Sequence, residues 1–452
     1  MYQSKFTQNS SADAPLVVQY EPVNQLKPNP TNPRKHSDRQ IKALAKSIKA
    51  FGFNIPIAVN ANGQVIAGHA RLIAAQRLGL SEVPVIRLDH LSDEQARAFL
   101  ISDNRLSEMS EWDGELLAVE LKALSVLNLD FDLEATGFTM GEIDLHIEGL
   151  NDKEVTDDSP PLPPPGPPVS KTGDLWLLGS HRVLCGNAQS PVDFETLMAG
   201  RIAGMVISDP PYNVRVDGHV GGKGKTKHRE FGMASGEMSE AEFTAFLKTT
   251  FELMCRHSSD GSVHTIFMDW RHLPEILAAG RATYTDFMNL CVWAKHQAGM
   301  GSLYRSQHEL ALIFKNGKAT HQNNIQLGRF GRYRTNVWEY PGIQAMRKGE
   351  EGDLLALHPT VKPVRMIADA ILDVSKRSDI VLDPFLGSGT TLLAAERVGR
   401  ICYALELDPL YVDTAIRRWQ MVTGQDAVSA TSGMTFTQRE VNILNQDNKE
   451  AA

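Results

Sequence analysis

The spacing of apolar and polar residues changes character along the chain. In the first hundred residues, Ile41, Leu44 and Ile48 recur at helical spacing behind a capping signal at Ser37 or Asp38. The stretch IPIAV then predicts a strand, residues 60–63 a turn, VIA a short strand, and GHAR the start of another helix. This order of elements predicts a small α+β domain.

Strand and helix patterns alternate in the second half of the chain. The stretches AGMVISD, GSVHTIFM, DIVLDPF and RICYALELD have the apolar content of buried strands. Residues 240–255, VRMIADAILDVS and TTLLAAERVG have helical spacing. Such alternation predicts a parallel α/β sheet, which binds ligands at the carboxyl ends of its strands.

Composition divides the chain of 452 residues into segments. Residues 16–105 form the first domain, 106–158 an acidic helical segment, and 171–424 the second domain. Between them lies SPPLPPPGPPVS, residues 159–170, whose proline density predicts an extended linker. The polar residues 425–452 predict a flexible tail, and we find no helix-turn-helix pattern after the first domain.

Charge is unevenly distributed. The formal net charge is −8, and residues 82–158 alone hold 20 Asp and Glu against 5 Lys and Arg, so the remainder is mildly basic. The four cysteines form no CxxC pair, and no metal-ligand cluster is visible. No apolar signal core and no membrane-length apolar run occur, so we expect a cytoplasmic protein.

A glycine-rich turn, LDPFLGSGTT, joins a predicted strand to a helix. Gly387 and Gly389 would let the backbone pass close to a ligand, and Glu406 ends the next strand, where a carboxylate accepts ribose hydroxyls. A P-loop is excluded because no lysine follows Gly389, and Leu392 replaces the third glycine of a dinucleotide fingerprint. An S-adenosylmethionine (AdoMet) loop and a plain strand–helix turn both remain open.

A second strand, VIS, ends in DPPY. Asp209 is acceptor-only when ionised, and Pro210 and Pro211 fix the backbone and so aim the Pro210 carbonyl. Tyr212 offers a stacking face. Two acceptors and a flat ring suit a planar amine, such as a base flipped out of duplex DNA, although an ordinary Asp-Pro-Pro turn has the same letters.

Three motifs in this order resemble the amino-methyltransferases that modify exocyclic amines of DNA bases. DPPY resembles their catalytic motif, HPTVKP the segment that closes over the cofactor, and DPFLGSGTT the AdoMet motif, in the permuted β-group order over nearly all of residues 171–424. The resemblance implies a Rossmann-like α/β sheet, AdoMet as cofactor, no metal, and catalytic roles for Asp209, Pro210, Pro211 and Tyr212. It also implies cofactor-binding roles for Thr360, Lys362, Asp383, Phe385, Gly387, Gly389, Thr390 and Glu406.

Basic residues near these motifs are candidates for DNA binding. Lys223, Lys225, Lys227 and Arg229 lie in a glycine-rich stretch after DPPY, which suits a phosphate-gripping loop or a merely solvated one. Arg332 and Arg334 interleave with aromatic residues in GRFGRYRTN.

The first domain resembles the ParB/sulfiredoxin-like domain of chromosome-partition proteins, through NPR, GHAR and VPVI. Gly68, His69 and Arg71 at a helix start form a candidate anion site, which the resemblance associates with nucleotide phosphates; simple packing is the alternative. Without a helix-turn-helix or a carboxylate cluster, we expect neither autonomous partition nor nuclease activity.

Together these features predict a site-specific DNA methyltransferase that modifies adenine N6, because Asp before PPY resembles the adenine members more than the cytosine-N4 members. Duplex DNA is the expected partner, with a nucleotide at the N-terminal domain and a second copy of the chain as candidates. Cytosine-N4 methylation, a nucleotide-gated ParB-like DNA-binding protein with an inert methyltransferase half, and an RNA or protein-glutamine substrate remain alternatives.

Overall fold

The computed structural model describes residues 16–127, 129–149, 163, 166–214, 236–296, 298, 303–325, 334–341 and 361–450. The chain divides into two compact units, unit 1 (Met1–Asn151) and unit 2 (Asp152–Ala452). In the described ranges no helix is both long and apolar enough to cross a membrane.

Unit 1 contains a small mixed sheet and helices. Its strands are β1 (Val18–Pro22), β2 (Ile57–Val59), β3 (Val65–Ala67) and β4 (Glu82–Arg87), in the order β1-β4-β2-β3. Its helices are α1 (Asp38–Phe51), α2 (His69–Leu78), α3 (Asp93–Glu108), α4 (Gly114–Ser125) and α5 (Met140–Gly149). The predicted order of elements is found, and Ser37 caps α1 by accepting the Gln40 N–H.

The acidic segment after α3 folds around an apolar cluster of its own. Asp113 caps α4, and the buried residues between α4 and α5 are Leu121, Leu133, Ile143 and Ile147. Ion pairs from Lys46 to Glu134 and from Arg39 to Glu142 connect this cluster to α1. Most acidic side chains of this packed helical element, such as Asp113, Glu115 and Glu120, are exposed, whereas Asp144 is buried.

Unit 2 is built on a large sheet with helices on both faces. Its strands are β5 (Leu175–Leu178), β6 (His181–Cys185), β7 (Ala203–Ser208), β8 (Ser258–Met268), β9 (Asp286–Ala294), β10 (His308–Lys315), β11 (Val337–Glu339), β12 (Ile380–Asp383), β13 (Ile401–Glu406) and β14 (Val428–Ser429). Its helices are α6 (Pro191–Met198), α7 (Glu240–Arg256), α8 (Leu273–Thr283), α9 (Val364–Val374), α10 (Thr390–Arg397), α11 (Pro409–Thr423) and α12 (Phe436–Glu450).

The sheet has the strand order β11-β9-β10-β8-β7-β12-β13-β6-β5-β14. Neighbours from β8 to β6 pair in parallel, as the alternation predicts. The expectation of a parallel sheet is wrong at its flanks, because β10 runs antiparallel to both β8 and β9, and β5 and β14 are also antiparallel to their neighbours. No helix is described between β9 and β10 or between β5 and β6, and an antiparallel pair needs none.

Both faces of the central strands are buried. Along β7, Met205 and Ile207 belong to the apolar cluster on one face, and Val206 belongs to the cluster on the other. Successive side chains of a strand point to opposite faces, so a strand covered on both sides is a continuous apolar run. β7 ends at Ser208, so Asp209 is the first residue beyond this buried strand.

The end of the chain contradicts the prediction of a flexible tail over residues 425–452. β14 pairs with β5, and α12 docks through Phe436, which is buried and makes an edge-on contact with Trp176 at 5.3 Å between ring centroids. Arg439 forms an ion pair with Asp174 and lies over the Trp176 ring. A few well-placed apolar and cationic residues dock this otherwise polar segment.

The end of the proline-rich linker is attached to unit 2. The backbone N–H groups of Val169 and Ser170 donate to the two carboxylate oxygens of Asp413 on α11, at 2.7 and 3.0 Å. The folded unit therefore includes residues before the predicted start at 171. Residues 159–162, 164 and 165 of the predicted linker lie outside the described residues.

Candidate functional site

Acidic residues meet where the central strands end. Asp209 directly follows β7, Asp383 ends β12 and Glu406 ends β13, and these strands are neighbours in the sheet. They line a cavity of about 310 Å³ together with Pro210, Pro211, Tyr212, Lys362, Phe385, Gly387 and Thr390. The structure thus brings the predicted catalytic residues and most of the described cofactor residues into one cavity.

The glycine turn shapes the cavity floor. Gly387 has a φ of 54° and donates its N–H to the Glu406 carboxylate at 2.8 Å. Glu406 also accepts the Asp408 N–H at 2.9 Å, so its side chain is fixed in place. The strand end and the turn are therefore held together by one carboxylate.

Gly389 lies where two helices pack closely. It precedes α10 with a φ of 90°, and a β-carbon there would lie 2.8 Å from the β-carbon of Ala415 on α11. Gly389 is not among the residues that line the cavity. A glycine is therefore needed here for the close packing of α10 against α11, and the cofactor contact of Gly389 stays a prediction.

Burial alters the protonation of the acids at the cavity floor. Burial raises the pKa of Glu406 to about 7, against the effect of the Asp408 and Gly387 N–H groups. Burial also raises the pKa of Asp383 to about 7, although Thr391 and the Phe385 N–H favour its ionised form. Both groups therefore titrate near neutral pH in the free protein.

Asp209 is engaged on both carboxylate oxygens. Its Oδ1 accepts the Tyr212 hydroxyl at 2.7 Å, and its Oδ2 accepts the Lys362 ammonium. Burial raises the pKa of Asp209, while the Lys362 charge acts in the opposite direction. Of its side chain, 27% remains exposed, which leaves the carboxylate open to the cavity.

Two further charged residues complete this cluster. Glu309 lies with Oε2 at 3.3 Å from the Lys362 ammonium and accepts the Lys295 ammonium through Oε1. Burial tends to raise the pKa of Glu309, but Lys362 and Lys295 lower it to about 2. Glu309 is therefore an ionised carboxylate beside the Asp209–Lys362 pair.

The sequence does not predict the place of Glu309 and Lys295. Because β10 is antiparallel to β8, its first residues lie beside the carboxyl end of β8, where Leu310 pairs with Met268. Lys295 directly follows β9, whose last residue pairs with His308. The signal that could have located Glu309 is a charged residue at the start of the apolar run HELALIF.

Of the two remaining predicted cofactor residues, the structure describes Lys362 but not Thr360. Lys362 points to Asp209 and Glu309, and its backbone carbonyl lies 3.5 Å from the Thr390 hydroxyl. It thus connects the glycine turn with the carboxylates. Thr360 lies outside the described residues.

The predicted DNA-binding residues are mostly outside the described part of the chain, namely Lys223, Lys225, Lys227, Arg229 and Arg332. Arg334 is described and is held internally. Its guanidinium donates to Asp373 at 3.1 Å and to the Tyr340 hydroxyl at 2.6 Å. These internal contacts engage two of the three guanidinium nitrogens, and the phosphate contact of Arg334 stays a prediction.

The candidate anion site in unit 1 lies at the start of α2. Gly68 has a φ of 99°, and the Arg71 guanidinium lies against it, so that a β-carbon at Gly68 would be 3.0 Å from Nη2. Arg71 donates to the Pro56 carbonyl at 3.2 Å, and its buried Nε has no hydrogen-bond partner among the described residues. His69 accepts the Asn29 N–H at 3.3 Å. A buried, unpaired donor at a helix start is suited to an anion.

Family models match the chain in three places. Residues 203–417 match the model described as DNA methylase, residues 7–105 the ParB N-terminal domain, and residues 115–172 the ParB-methyltransferase HTH domain. The last match corrects the expectation that no helix-turn-helix follows the first domain. The matched range includes most of α4 and all of α5.

Individual proteins match each part. The ParB-like nuclease domain-containing protein YnaK of Escherichia coli (strain K12) is 44% identical over 80 residues, which are 18% of this chain and 92% of YnaK. Type II methyltransferase M.HpaI of Haemophilus parainfluenzae is 24% identical over 252 residues, 53% of this chain and 74% of M.HpaI. The solved structure of the PvuII DNA methyltransferase (cytosine-N4-specific) has a TM-score of 0.43 at 15% identity, over 61% of this chain and 97% of that one.

Proposed function

We propose that this chain, a member of the N6/N4 DNA methyltransferases that carries a ParB N-terminal domain, uses AdoMet to methylate the N6 amine of adenine in DNA. The observation that carries the proposal is the ionisable carboxylate of Asp209, which opens onto the same cavity as Glu406.

The described residues fit AdoMet. The cavity is lined by apolar residues such as Ile207, Phe385 and Leu407, and its floor carries the Glu406 carboxylate, which suits an adenosine with free ribose hydroxyls. A lysine of the P-loop type, which would grip a pyrophosphate, is absent after Gly389. Gly387 and Glu406 would hold the adenosine part. When bound, AdoMet supplies an electrophilic methyl group on a sulfonium centre.

The amine of adenine is a poor nucleophile because its lone pair is delocalised into the ring. Asp209 would accept one N–H hydrogen bond and the Pro210 carbonyl the other, which localises the lone pair on nitrogen. The nitrogen would then take the methyl group that AdoMet supplies and give up one proton, which Asp209 would be placed to receive, leaving S-adenosylhomocysteine as the second product. Tyr212 would stack on the base, which must first leave the duplex.

The choice of adenine depends on one residue type. Asp209 supplies a charged acceptor before PPY, as in the adenine-N6 members that this motif resembles, whereas the cytosine-N4 members have Ser at that position. A charged acceptor makes a stronger hydrogen bond to an amine than a hydroxyl does. Cytosine N4 remains the alternative target.

Identification of the methylated nucleoside tests the proposal. The full chain is incubated with methyl-labelled AdoMet and duplex DNA of varied sequence, and the DNA is digested to nucleosides. We expect labelled N6-methyldeoxyadenosine. Labelled N4-methyldeoxycytidine would overturn the choice of base, and the absence of any labelled nucleoside would favour an inert methyltransferase half.

We expect AdoMet binding to depend on the ionisation of Glu406. Because burial raises its pKa to about 7, the carboxyl is largely protonated at pH 6 and ionised at pH 8. Only the ionised form accepts hydrogen bonds from both ribose hydroxyls. The dissociation constant for AdoMet, measured by calorimetry, should therefore rise by about tenfold from pH 8 to pH 6. The Glu406→Gln variant should bind AdoMet more weakly at pH 8 and lose most of the pH dependence of the dissociation constant. If the variant keeps the wild-type pH dependence, a group other than Glu406 causes it.

For unit 1, we propose that Gly68, His69 and Arg71 bind the phosphates of a nucleotide. The unpaired Nε of Arg71 and the free N–H groups at the start of α2 support this proposal. Burial lowers the pKa of Arg71, which indicates a cation that is poorly solvated without a ligand. A bound phosphate would supply the missing acceptor.

Filter binding with each of the four radiolabelled ribonucleoside triphosphates tests this site. We expect one or more to bind the full chain and Arg71→Ala to weaken that binding at least tenfold. Arg77→Ala is the matched control, because Arg77 lies on the same helix but makes an exposed ion pair with Asp38. Equal binding by wild type and Arg71→Ala would reject the site.

A further inference from the structure

The carboxylate that should receive the target amine already has a cationic partner. The Lys362 ammonium is bound to Asp209 Oδ2, and the Tyr212 hydroxyl occupies Oδ1. Only 5% of the Lys362 side chain is exposed, so this pair is largely shielded from water. A base that enters must therefore compete with Lys362 for Asp209.

Removal of Lys362 from Asp209 into an uncharged environment would be costly, because a buried cation needs a compensating partner. Glu309 provides one. Its Oε2 lies 3.3 Å from the same ammonium and 3.3 Å from the Tyr212 hydroxyl. A small rotation of the Lys362 side chain would thus move its ammonium from Asp209 to Glu309 without exposing the charge to water.

The groups around Glu309 favour it as a second acceptor. Lys295 binds the other oxygen of Glu309 and keeps that carboxylate ionised. The centroid of the Phe267 ring lies 4.6 Å from the Lys362 ammonium, and the face of an aromatic ring attracts a cation. Ion pairs and hydrogen bonds thus link five side chains at this place, those of Asp209, Tyr212, Lys295, Glu309 and Lys362.

We propose that Glu309 is a positioning residue for methyl transfer, which takes the Lys362 ammonium from Asp209 when the target base enters. Asp209 is thereby released to accept the amine. In the empty site Lys362 neutralises Asp209, and with the base in place it neutralises Glu309. This inference rests on the proposed methyltransferase function.

The exchange predicts which step Glu309 affects. DNA binding comes first and entry of the base into the cavity second, and only the second step needs Lys362 to move. Loss of the Glu309 charge should therefore lower the fraction of bound DNA whose base lies in the cavity. The maximal rate falls while the affinities for DNA and AdoMet are retained.

The test uses the full chain and a duplex that contains its methylated sequence, mapped beforehand by sequencing methylated DNA. The target position carries adenine for the kcat measurement and 2-aminopurine for the fluorescence measurement. For Glu309→Gln we expect kcat to fall at least tenfold and the 2-aminopurine fluorescence gain on binding to fall by at least half. The dissociation constants for DNA and AdoMet should stay within threefold of wild type. Glu309→Asp keeps the charge, so its kcat and fluorescence gain should lie between those of wild type and Glu309→Gln. This variant replaces Glu309→Gln in the test if the Gln variant does not fold.

Glu339→Gln is the matched control, because Glu339 is an exposed carboxylate on β11 of the same sheet. It should behave as wild type. A Glu309→Gln variant with wild-type kcat would overturn the proposal, and so would a reduced kcat with an unchanged fluorescence gain. An inactive wild type would instead contradict the methyltransferase function, so the two failures are distinguishable.

Discussion

Asp209→Ala should lower the maximal rate of DNA methylation by roughly 10³-fold, within the range of effects seen when a group that acts on the reacting atoms is removed. The physical reason is that the amine loses the charged acceptor at the end of β7, so that its lone pair stays delocalised. Rates are measured with labelled AdoMet under single-turnover conditions.

AdoMet binding by the same variant should remain within about threefold of wild type, since Glu406 and Gly387, which would hold the adenosine, lie on β13 and on the turn after β12. Asp286→Ala is the control, because Asp286 is an exposed carboxylate at the start of β9. A variant that lacks Asp209 and still methylates at the wild-type rate would contradict its role.

Phe436→Ala should destabilise unit 2 by about 3–5 kcal/mol, the usual cost of deleting a buried phenyl ring. Phe436 contacts Trp176, donates its N–H to the Ala427 carbonyl at 2.8 Å, and lies 5.2 Å below the Arg417 guanidinium. Its loss would detach α12 from the sheet edge. Urea unfolding followed by tryptophan fluorescence measures the change.

Val441→Ala is the matched control for this prediction. Val441 lies on the same helix with half of its surface exposed, so the change should be within about 0.5 kcal/mol. If Phe436→Ala unfolds at the wild-type urea concentration, α12 does not contribute to the stability of unit 2.

The central strands and the candidate site on them follow from local sequence. β7 and β12 are continuous apolar runs that stop at an acid and a proline, so the ends that carry Asp209 and Asp383 are visible in the sequence. Parallel strands place such ends at one edge of the sheet, which brings the two acids together with Glu406.

The parts that local sequence does not predict depend on distant contacts. Glu309 reaches Lys362 only because β10 reverses direction against β8, and no local pattern specifies that reversal. The docking of α12 likewise depends on Trp176, which lies more than 250 residues earlier in the chain. In both cases a few residues define the contact. For α12, the polar composition of the segment predicts a flexible tail, whereas the structure shows a docked helix.

The strand order also constrains the order of events during synthesis. Within unit 2, β5 and β6 leave the ribosome before the other strands. In the finished sheet, β12 and β13 lie between β6 and β7. Until these late strands emerge, β6 and β7 each present an unpaired edge, and such edges promote association between chains. A chain that ends before residue 380 lacks β12 and β13 and cannot complete its sheet. Nascent unit 2 should therefore depend on chaperones until these two strands have been translated.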